Sequence, residues 1–131
     1  MRDQTAYRVL VIDDHRGIAA RLGEMVERAG FRVSLAFGGR EGIDAFDEAQ
    51  SVGSPFSVII TDYSMADFDG LAVAASAKHA APSTKVILLT FYAIDADRLP
   101  PAIDAVLKKP PSDAELRSTL ARLTAADYPA T

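Results

Sequence analysis

Apolar residues in this chain concentrate in five short runs, separated by longer segments with a different spacing of hydrophobic and polar positions. Val, Ile and Leu dominate most of these runs, as is typical of strands buried on both faces of a parallel sheet. The second run alternates between apolar and polar residues, which also predicts a strand. The five predicted strands cover residues 7–12, 31–36, 56–61, 85–90 and 105–108.

Four other segments repeat their apolar residues with the period of an amphipathic α-helix. Gly30 follows the first of them, as a residue that ends helices by adopting a left-handed conformation. Asp69 is expected to cap the third helix, and Ser112 with Glu115 forms a capping box that begins the last one. The predicted helices cover residues 15–29, 40–49, 70–80 and a segment after Ser112 that turns Leu116, Leu120 and Leu123 inward.

Strands that alternate with helices predict right-handed crossovers and a parallel sheet covered by helices on both faces. Five strands in 131 residues fit an α/β fold with a doubly wound sheet of strand order 2-1-3-4-5. Pro100 and Pro101 lie between strands four and five, and consecutive prolines cannot sit inside a helix. The fourth helix is therefore predicted to be shortened or irregular. We expect one domain over residues 6–125 and a flexible tail over residues 126–131.

Composition narrows the class of protein. Hydrophobic residues make up 49% of the chain and charged residues 24%, as in globular proteins. The net charge of −4, with no cluster of Lys and Arg, argues against direct nucleic-acid binding. The absence of Cys excludes disulfides and thiolate sites. No apolar run approaches the roughly 20 residues that span a bilayer, and residues 1–6 lack a signal-peptide core. We expect a soluble, cytoplasmic protein without a membrane partner.

Acidic residues end two of the predicted strands. Asp13 and Asp14 follow strand one, and Asp62 follows strand three. In a sheet of this order the two strands are neighbours, so the three carboxylates meet where such sheets bind ligands. Two like charges about 4 Å apart repel by roughly 4 kcal/mol at an effective dielectric constant of about 20. The cluster therefore requires a divalent cation, a Lys or a raised pKa. Lys109, at the end of strand five, is available.

Each of these residues also has a simpler interpretation. The acidic pair after strand one could cap the first helix. Thr90 could be an ordinary strand-terminal hydroxyl, and Lys109 a solvated surface residue. We interpret Asp67 as an exposed loop acid and His15 as a solvent-facing residue of the first helical turn.

The order of these residues resembles that of response-regulator receiver domains of two-component signalling, over nearly the whole chain. Each match follows a predicted strand, and together they are more specific than any one alone. The matching segments are Val9 to Asp14, Asp62 with Met65 and Asp69-Gly70, Thr90, and Lys109-Pro110. The resemblance implies the flavodoxin-like receiver fold.

The resemblance also implies a site. Asp62 would accept a phosphoryl group from a histidine kinase or a histidine phosphotransfer protein of a phosphorelay. Mg²⁺ would be held by Asp13, Asp14, Asp62 and the backbone carbonyl of Ser64, since this ion prefers oxygen ligands. Lys109, before a peptide bond that is usually cis in the family, would contact the phosphoryl oxygens.

Signal output is expected to begin at Thr90, whose hydroxyl would donate to a phosphoryl oxygen on Asp62 and draw the following loop inward. An effector domain or a separate output protein would detect this change. Such a module assists its own phosphotransfer, and we do not expect it to be a turnover enzyme.

The chain departs from the family pattern at several positions. Ala66 replaces the usual proline, Phe91 replaces a small residue after Thr90, and Val106 replaces an aromatic residue that commonly moves during switching. Our hypothesis is that Phe91 or Tyr92 supplies the mobile ring instead.

Three other functions are open to a chain of this kind. A small Mg²⁺-dependent phosphohydrolase with an aspartyl nucleophile usually has a second acid two residues later, where this chain has Ser64. A flavin or nucleotide binder would need a glycine-rich loop after strand one, which is missing. A degenerate receiver would lack site residues, whereas Asp14, Asp62, Thr90 and Lys109 are all present.

Overall fold

The computed structural model describes residues 7–125, which form five strands and four α-helices. The predictions for residue 6 and for the tail over residues 126–131 concern residues outside this range. In chain order the elements are β1 (Arg8–Ile12), α1 (Arg16–Arg28), β2 (Arg32–Ala36), α2 (Gly39–Ser51), β3 (Val58–Asp62), α3 (Gly70–Ala80), β4 (Lys85–Thr90), β5 (Ala105–Lys108) and α4 (Asp113–Thr124).

The strands form one parallel sheet in the order β2-β1-β3-β4-β5, which confirms the predicted fold class. β1 lies between β2 and β3, and Ile12 pairs with Thr61. Thr90 pairs with Lys108 at the end of β4 and β5. This register brings the residues after β1, β3 and β5 to a single edge of the sheet.

Two hydrophobic cores cover the two faces of the sheet. Val9 and Val11 of β1 belong to the core beneath α1 and α4, whereas Leu10 and Ile12 belong to the core beneath α2 and α3. All four side chains are at most 1% exposed. The nearly continuous apolar run of β1 thus reflects burial on both faces, as the sequence predicted.

The helix ends show which local signals the chain uses. Asp69 caps α3 as predicted, since its Oδ1 accepts the Ala72 N–H at 2.8 Å. The predicted capping box begins α4. The predicted first helix begins at His15, whereas in the structure His15 is the N-cap of α1 and its Nδ1 accepts the Ile18 N–H at 3.2 Å. The first turn of α1 is thus capped by His15 and not by the acidic pair that precedes it.

No α-helix connects β4 and β5 in the described structure, which confirms the predicted irregularity of the fourth helix. The connection contains a single 3₁₀ turn at Ala96–Arg98, followed by Pro100 and Pro101. Ile94 and Leu99 are partly buried against the core beneath α2 and α3. The helix after β5 is therefore α4.

Asp104 links the connection between β4 and β5 to β4 and α3 through three contacts. Its backbone N–H donates to the Val86 carbonyl at 2.9 Å, and its carboxylate accepts the Val86 N–H at 2.8 Å. Lys78 at the end of α3 also contacts the carboxylate, with Nζ 2.8 Å from Oδ2. These three contacts hold the connection in place at the start of β5.

Among residues 7–125, none of the helices combines the length and the apolar character needed to cross a bilayer.

Candidate functional site

Three carboxylates meet at the carboxyl edge of the sheet. Asp13 and Asp14 follow β1, Asp62 ends β3, and one oxygen of each lies within 4.8 Å of the others. Asp13 is fully buried and Asp62 is 8% exposed, whereas Asp14 is exposed. The cluster therefore opens to solvent on the side of Asp14.

Lys109 supplies a positive charge to this cluster from the loop after β5. Its Nζ lies 2.6 Å from Asp13 Oδ2 and 3.1 Å from Asp62 Oδ2, and the residue is only 6% exposed. The backbone N–H of Lys109 donates to the Thr90 carbonyl at 2.8 Å. The Lys109–Pro110 peptide bond is cis. The buried ammonium group thus bridges two of the three acids.

Burial and charge oppose each other in setting the pKa of Asp62. Burial raises the pKa most, a hydrogen bond and the charge of Lys109 lower it, and the charges of Asp13 and Asp14 raise it again. The net result is a pKa above the ordinary value. Asp62 therefore retains unfavourable charge that Lys109 alone does not offset.

The pKa of Lys109 is also raised. Burial would lower it, but hydrogen bonds and charge interactions with Asp13 and Asp62 outweigh that effect. Lys109 therefore stays protonated at neutral pH and provides a fixed cation.

The loop after β3, residues 63–69, is called here the site loop because it borders the carboxylates. Asp14 Oδ2 accepts the Ala66 N–H of this loop at 3.1 Å, and Asp13 Oδ1 accepts the His15 N–H at 2.8 Å. Ser64, the expected source of a metal-binding carbonyl, is an exposed residue of the same loop. The acids thus contact the backbone that surrounds them.

Asp67 is a structural residue that sequence analysis missed. It is exposed, as expected of a loop acid, but its carboxylate accepts the N–H groups of Gly39, Arg40 and Phe68. These hydrogen bonds lower its pKa to about 2. The available signal was Gly38, because a glycine at the N-cap of α2 leaves the helix without a capping side chain of its own.

Thr90 ends β4, the strand paired with the one that carries Asp62, and is followed by two exposed rings. It is 4% exposed, and its Oγ1 accepts the Tyr92 N–H at 3.1 Å. Phe91 is 59% exposed, with its ring centroid 5.3 Å from Lys109 Nζ, and Tyr92 is 77% exposed. Val106, at the position of the usual aromatic residue, is partly buried against the core beneath α2 and α3.

A cavity of about 330 Å³ lies between the site loop and the connection from β4 to β5. It is mostly apolar, and it adjoins both Thr90 and the exposed ring of Tyr92. Its lining includes Tyr63, Ser64, Leu71, Leu88, Ile94 and Leu99.

The donor atoms at this edge fit a hard divalent cation. All three clustered side chains are carboxylates, and Mg²⁺ prefers such oxygen ligands together with water. The exposure of Asp14 leaves room for water at the cluster. The arrangement therefore places oxygen donors suited to Mg²⁺ next to the fixed cation of Lys109.

Comparison with known proteins decides the family. The family model described as "Response regulator receiver domain" matches residues 9–121. The chain belongs to this family. It is a receiver domain of two-component response regulators, a class of signalling module, and the resemblance found in the sequence is confirmed.

Its relatives include both short and longer proteins. The chain is similar to the response regulator receiver protein CpdR of Brucella abortus, with 29% identity over 79% of this chain and 84% of CpdR. It is similar to the transcriptional regulatory protein CpxR of Escherichia coli, with 29% identity over 83% of this chain but 45% of CpxR.

Solved receiver structures have the same fold. A receiver domain protein from Clostridium thermocellum has a TM-score of 0.81 and 25% identity, covering 92% of this chain and 96% of that one. TrrA from Thermotoga maritima, solved in complex with Mg²⁺ and BeF, has a TM-score of 0.76 and 27% identity, covering 89% and 98%.

Proposed function

We propose that this receiver domain accepts a phosphoryl group on Asp62 from the phosphohistidine of a histidine kinase or a histidine phosphotransfer protein. The observation that supports this most directly is the position of Asp62, nearly buried at the end of β3 with the ammonium of Lys109 3.1 Å away. An Asp62 oxygen attacks phosphorus in line with the bond to the donor imidazole. The new O–P bond forms as the N–P bond breaks, and the imidazole leaves.

The role of Lys109 in this transfer is to offset the charge of the phosphoryl oxygens. Its Nζ is already held between Asp13 and Asp62, so the cation is oriented before the donor arrives. A preorganised charge stabilises the transition state without the cost of reorienting at the moment of reaction.

Asp13, Asp14, Asp62 and the Ser64 carbonyl would hold Mg²⁺. The clustering of three carboxylate oxygens within 4.8 Å supports this assignment. When bound, the ion supplies positive charge next to the transferring group. The hydrogen bond from Ala66 N–H to Asp14 orients one of these ligands from the side of the site loop.

Thr90 is the proposed reporter of phosphorylation. Its Oγ1 accepts a hydrogen bond from Tyr92 N–H, and the hydroxyl proton is free to be donated to a phosphoryl oxygen on Asp62. Rotation towards the phosphoryl group would change the contact with Tyr92 and move the loop after β4. The signal then passes to an effector domain or to a separate output protein.

We propose a phosphoacceptor rather than a turnover enzyme. A phosphohydrolase of the aspartyl type needs an acid–base group near the nucleophile, and the residue two positions after Asp62 is Ser64. The described residues supply no other carboxylate in the cluster beyond Asp13 and Asp14.

Titration with beryllofluoride and Mg²⁺, followed by amide chemical shifts, tests this function. Wild type should show saturable shifts around Thr90, Asp62→Ala should show none, and the control Asp97→Ala should respond like wild type. An equal response in Asp62→Ala would contradict the proposal. Steady phosphate release from a small phosphomonoester would identify the phosphohydrolase instead.

A further inference from the structure

The N-terminus of α2 is capped by a residue from a distant part of the chain. Its own N-cap, Gly38, forms no side-chain hydrogen bond. Asp67 Oδ1 accepts the Gly39 N–H at 2.9 Å, and Asp67 Oδ2 accepts the Arg40 N–H at 2.8 Å. One carboxylate of the site loop therefore satisfies two backbone donors at the beginning of α2, where a negative charge is favourable.

The site loop and the first turn of α2 are also in close contact. A Cβ added at Gly39 would lie 2.7 Å from Phe68 Cβ and 3.3 Å from Asp67 Oδ1, so only glycine fits there. The guanidinium of Arg40 lies over the Phe68 ring, 5.1 Å from its centroid. Asp67 also accepts the Phe68 N–H at 2.8 Å. The loop backbone is thus fixed against the helix at residues 67 and 68.

The other half of the site loop borders the carboxylates. Ala66 N–H donates to Asp14 Oδ2 at 3.1 Å, and Ser64 provides the carbonyl that we assign to Mg²⁺. Ala66 has more backbone freedom than a proline at the same position would have. The hydrogen bonds of the adjacent Asp67 restrict that freedom, because they attach the loop to a helix that the core holds in place.

We propose that Asp67 is a positioning residue for the magnesium site. By joining the site loop to the N-terminus of α2, it holds the Ser64 carbonyl and the Ala66 N–H next to Asp14 and Asp62. Asp67 itself is not one of the three clustered carboxylates. This inference rests on the proposed function, because Asp67 would position ligands of the Mg²⁺ ion that phosphotransfer requires.

Two substitutions of Asp67 distinguish the effect of positioning the site loop from the effect of the negative charge. Asp67→Ala removes both the charge and the acceptors, whereas Asp67→Asn removes the charge and keeps one carbonyl oxygen for the Gly39 and Phe68 N–H groups. Mg²⁺ titrations followed by amide shifts should show affinity about tenfold weaker for Asp67→Ala, as for other residues that orient metal ligands. Asp67→Asn should stay within about threefold of wild type, since the main effect is placement rather than charge.

A second measurement needs no metal. In chelator, amide hydrogen exchange of Gly39, Ala66 and Phe68 should be faster in Asp67→Ala than in wild type, with Asp67→Asn between them. Asp44→Ala is the charge control, because Asp44 is an exposed acid of α2 that pairs with Arg40 at 3.9 Å. It should change neither the Mg²⁺ affinity nor the exchange of Ala66 and Phe68.

Two results would overturn this inference while leaving the proposed function intact. One is an Asp67→Ala variant that binds Mg²⁺ as wild type does. The other is equal weakening in Asp67→Ala and Asp67→Asn, which would mean that charge alone acts. Failure of wild type itself to bind Mg²⁺ would overturn both the inference and the proposed function.

Discussion

The carboxylate of Asp62 is charged in a place where burial and two neighbouring acids oppose the charge. We predict that Asp62→Asn stabilises the metal-free domain by about 1 kcal/mol at pH 7, which is about 4 °C in melting temperature. Because the folded pKa is raised above 3.8, wild type loses stability as the pH rises through that folded pKa. The advantage of the variant should therefore shrink as the pH is lowered towards 3.8.

Thermal melts in chelator across this pH range measure the effect. Asp47→Asn, at a helical position outside the cluster, is the control and should melt within about 2 °C of wild type. A variant at Asp62 that melts at or below the wild-type temperature at pH 7 would show that the acids do not repel as the geometry requires.

In contrast to Asp62→Asn, the substitution Lys109→Ala is predicted to lower the stability of the metal-free domain. Lys109→Ala leaves Asp13 and Asp62 without their shared cation, and unpaired buried charges cost about 3 kcal/mol. Denaturant unfolding in chelator should show this loss, and added Mg²⁺ should restore part of it. Lys108→Ala is a matched control, because Lys108 is adjacent and exposed, and should change stability by less than about 0.5 kcal/mol. Equal stability of the two variants would contradict the assigned role of Lys109.

The residues of the carboxylate cluster and Lys109 could be predicted from the sequence, because each lies at the end of an apolar run. Parallel strands that end together bring Asp13, Asp62 and Lys109 to one place without further information. Asp67 could not be placed in this way. Its hydrogen bonds reach residues that are 27 and 28 positions earlier, and no local spacing reports such a contact.

At the scale of elements, the connection between β4 and β5 depends on Asp104 rather than on a helix. Asp104→Ala removes the contacts to Val86 N–H and Lys78, and we predict a loss of about 2 kcal/mol in unfolding free energy. Asp95→Ala is the control from the same connection, since the contacts of the Asp95 carboxylate with Arg98 and with the Asp97 N–H both lie at the exposed surface. It should cost less than about 0.5 kcal/mol. Denaturant unfolding that fails to distinguish the two variants would refute this account of the connection.

The rings of Phe91 and Tyr92 give a second prediction about this connection. Tyr92 borders the cavity of about 330 Å³ next to Thr90, and Val106 offers no ring at the usual position. With beryllofluoride and Mg²⁺ bound, we expect at least one of the two rings to move and become less exposed. Structures with and without the ligands measure this directly, and Thr90→Ala should abolish the movement. Two rings that stay in place in wild type would contradict the hypothesis.

Element boundaries were predictable where local signals were strong. α3, β4 and β5 have the predicted bounds, and Asp69 and the capping box occupy their expected places. The path between β4 and β5 was not predictable, because consecutive prolines exclude a helix without selecting an alternative. Asp104 selects it through contacts with two other elements.

At the scale of the whole molecule, the order of the strands was predictable because strands alternate with helices throughout the chain. That pattern allows few arrangements, and the apolar character of β1 and β3 places them at the centre of the sheet. The division into two cores follows from the alternation of side chains along β1, as with Val11 and Ile12. The phosphoryl donor and the output partner are recognised by surface residues, and the hydrophobic pattern does not predict that recognition.

Intact-mass spectrometry shows directly whether Asp62 accepts a phosphoryl group. Wild type is incubated with Mg²⁺ and phosphoramidate, a small donor whose P–N bond resembles that of phosphohistidine. We predict one addition of about 80 Da, the mass of a phosphoryl group, located by peptide mapping to Asp62 and absent from Asp62→Ala. No added mass on wild type, or the same addition on Asp62→Ala, would contradict it.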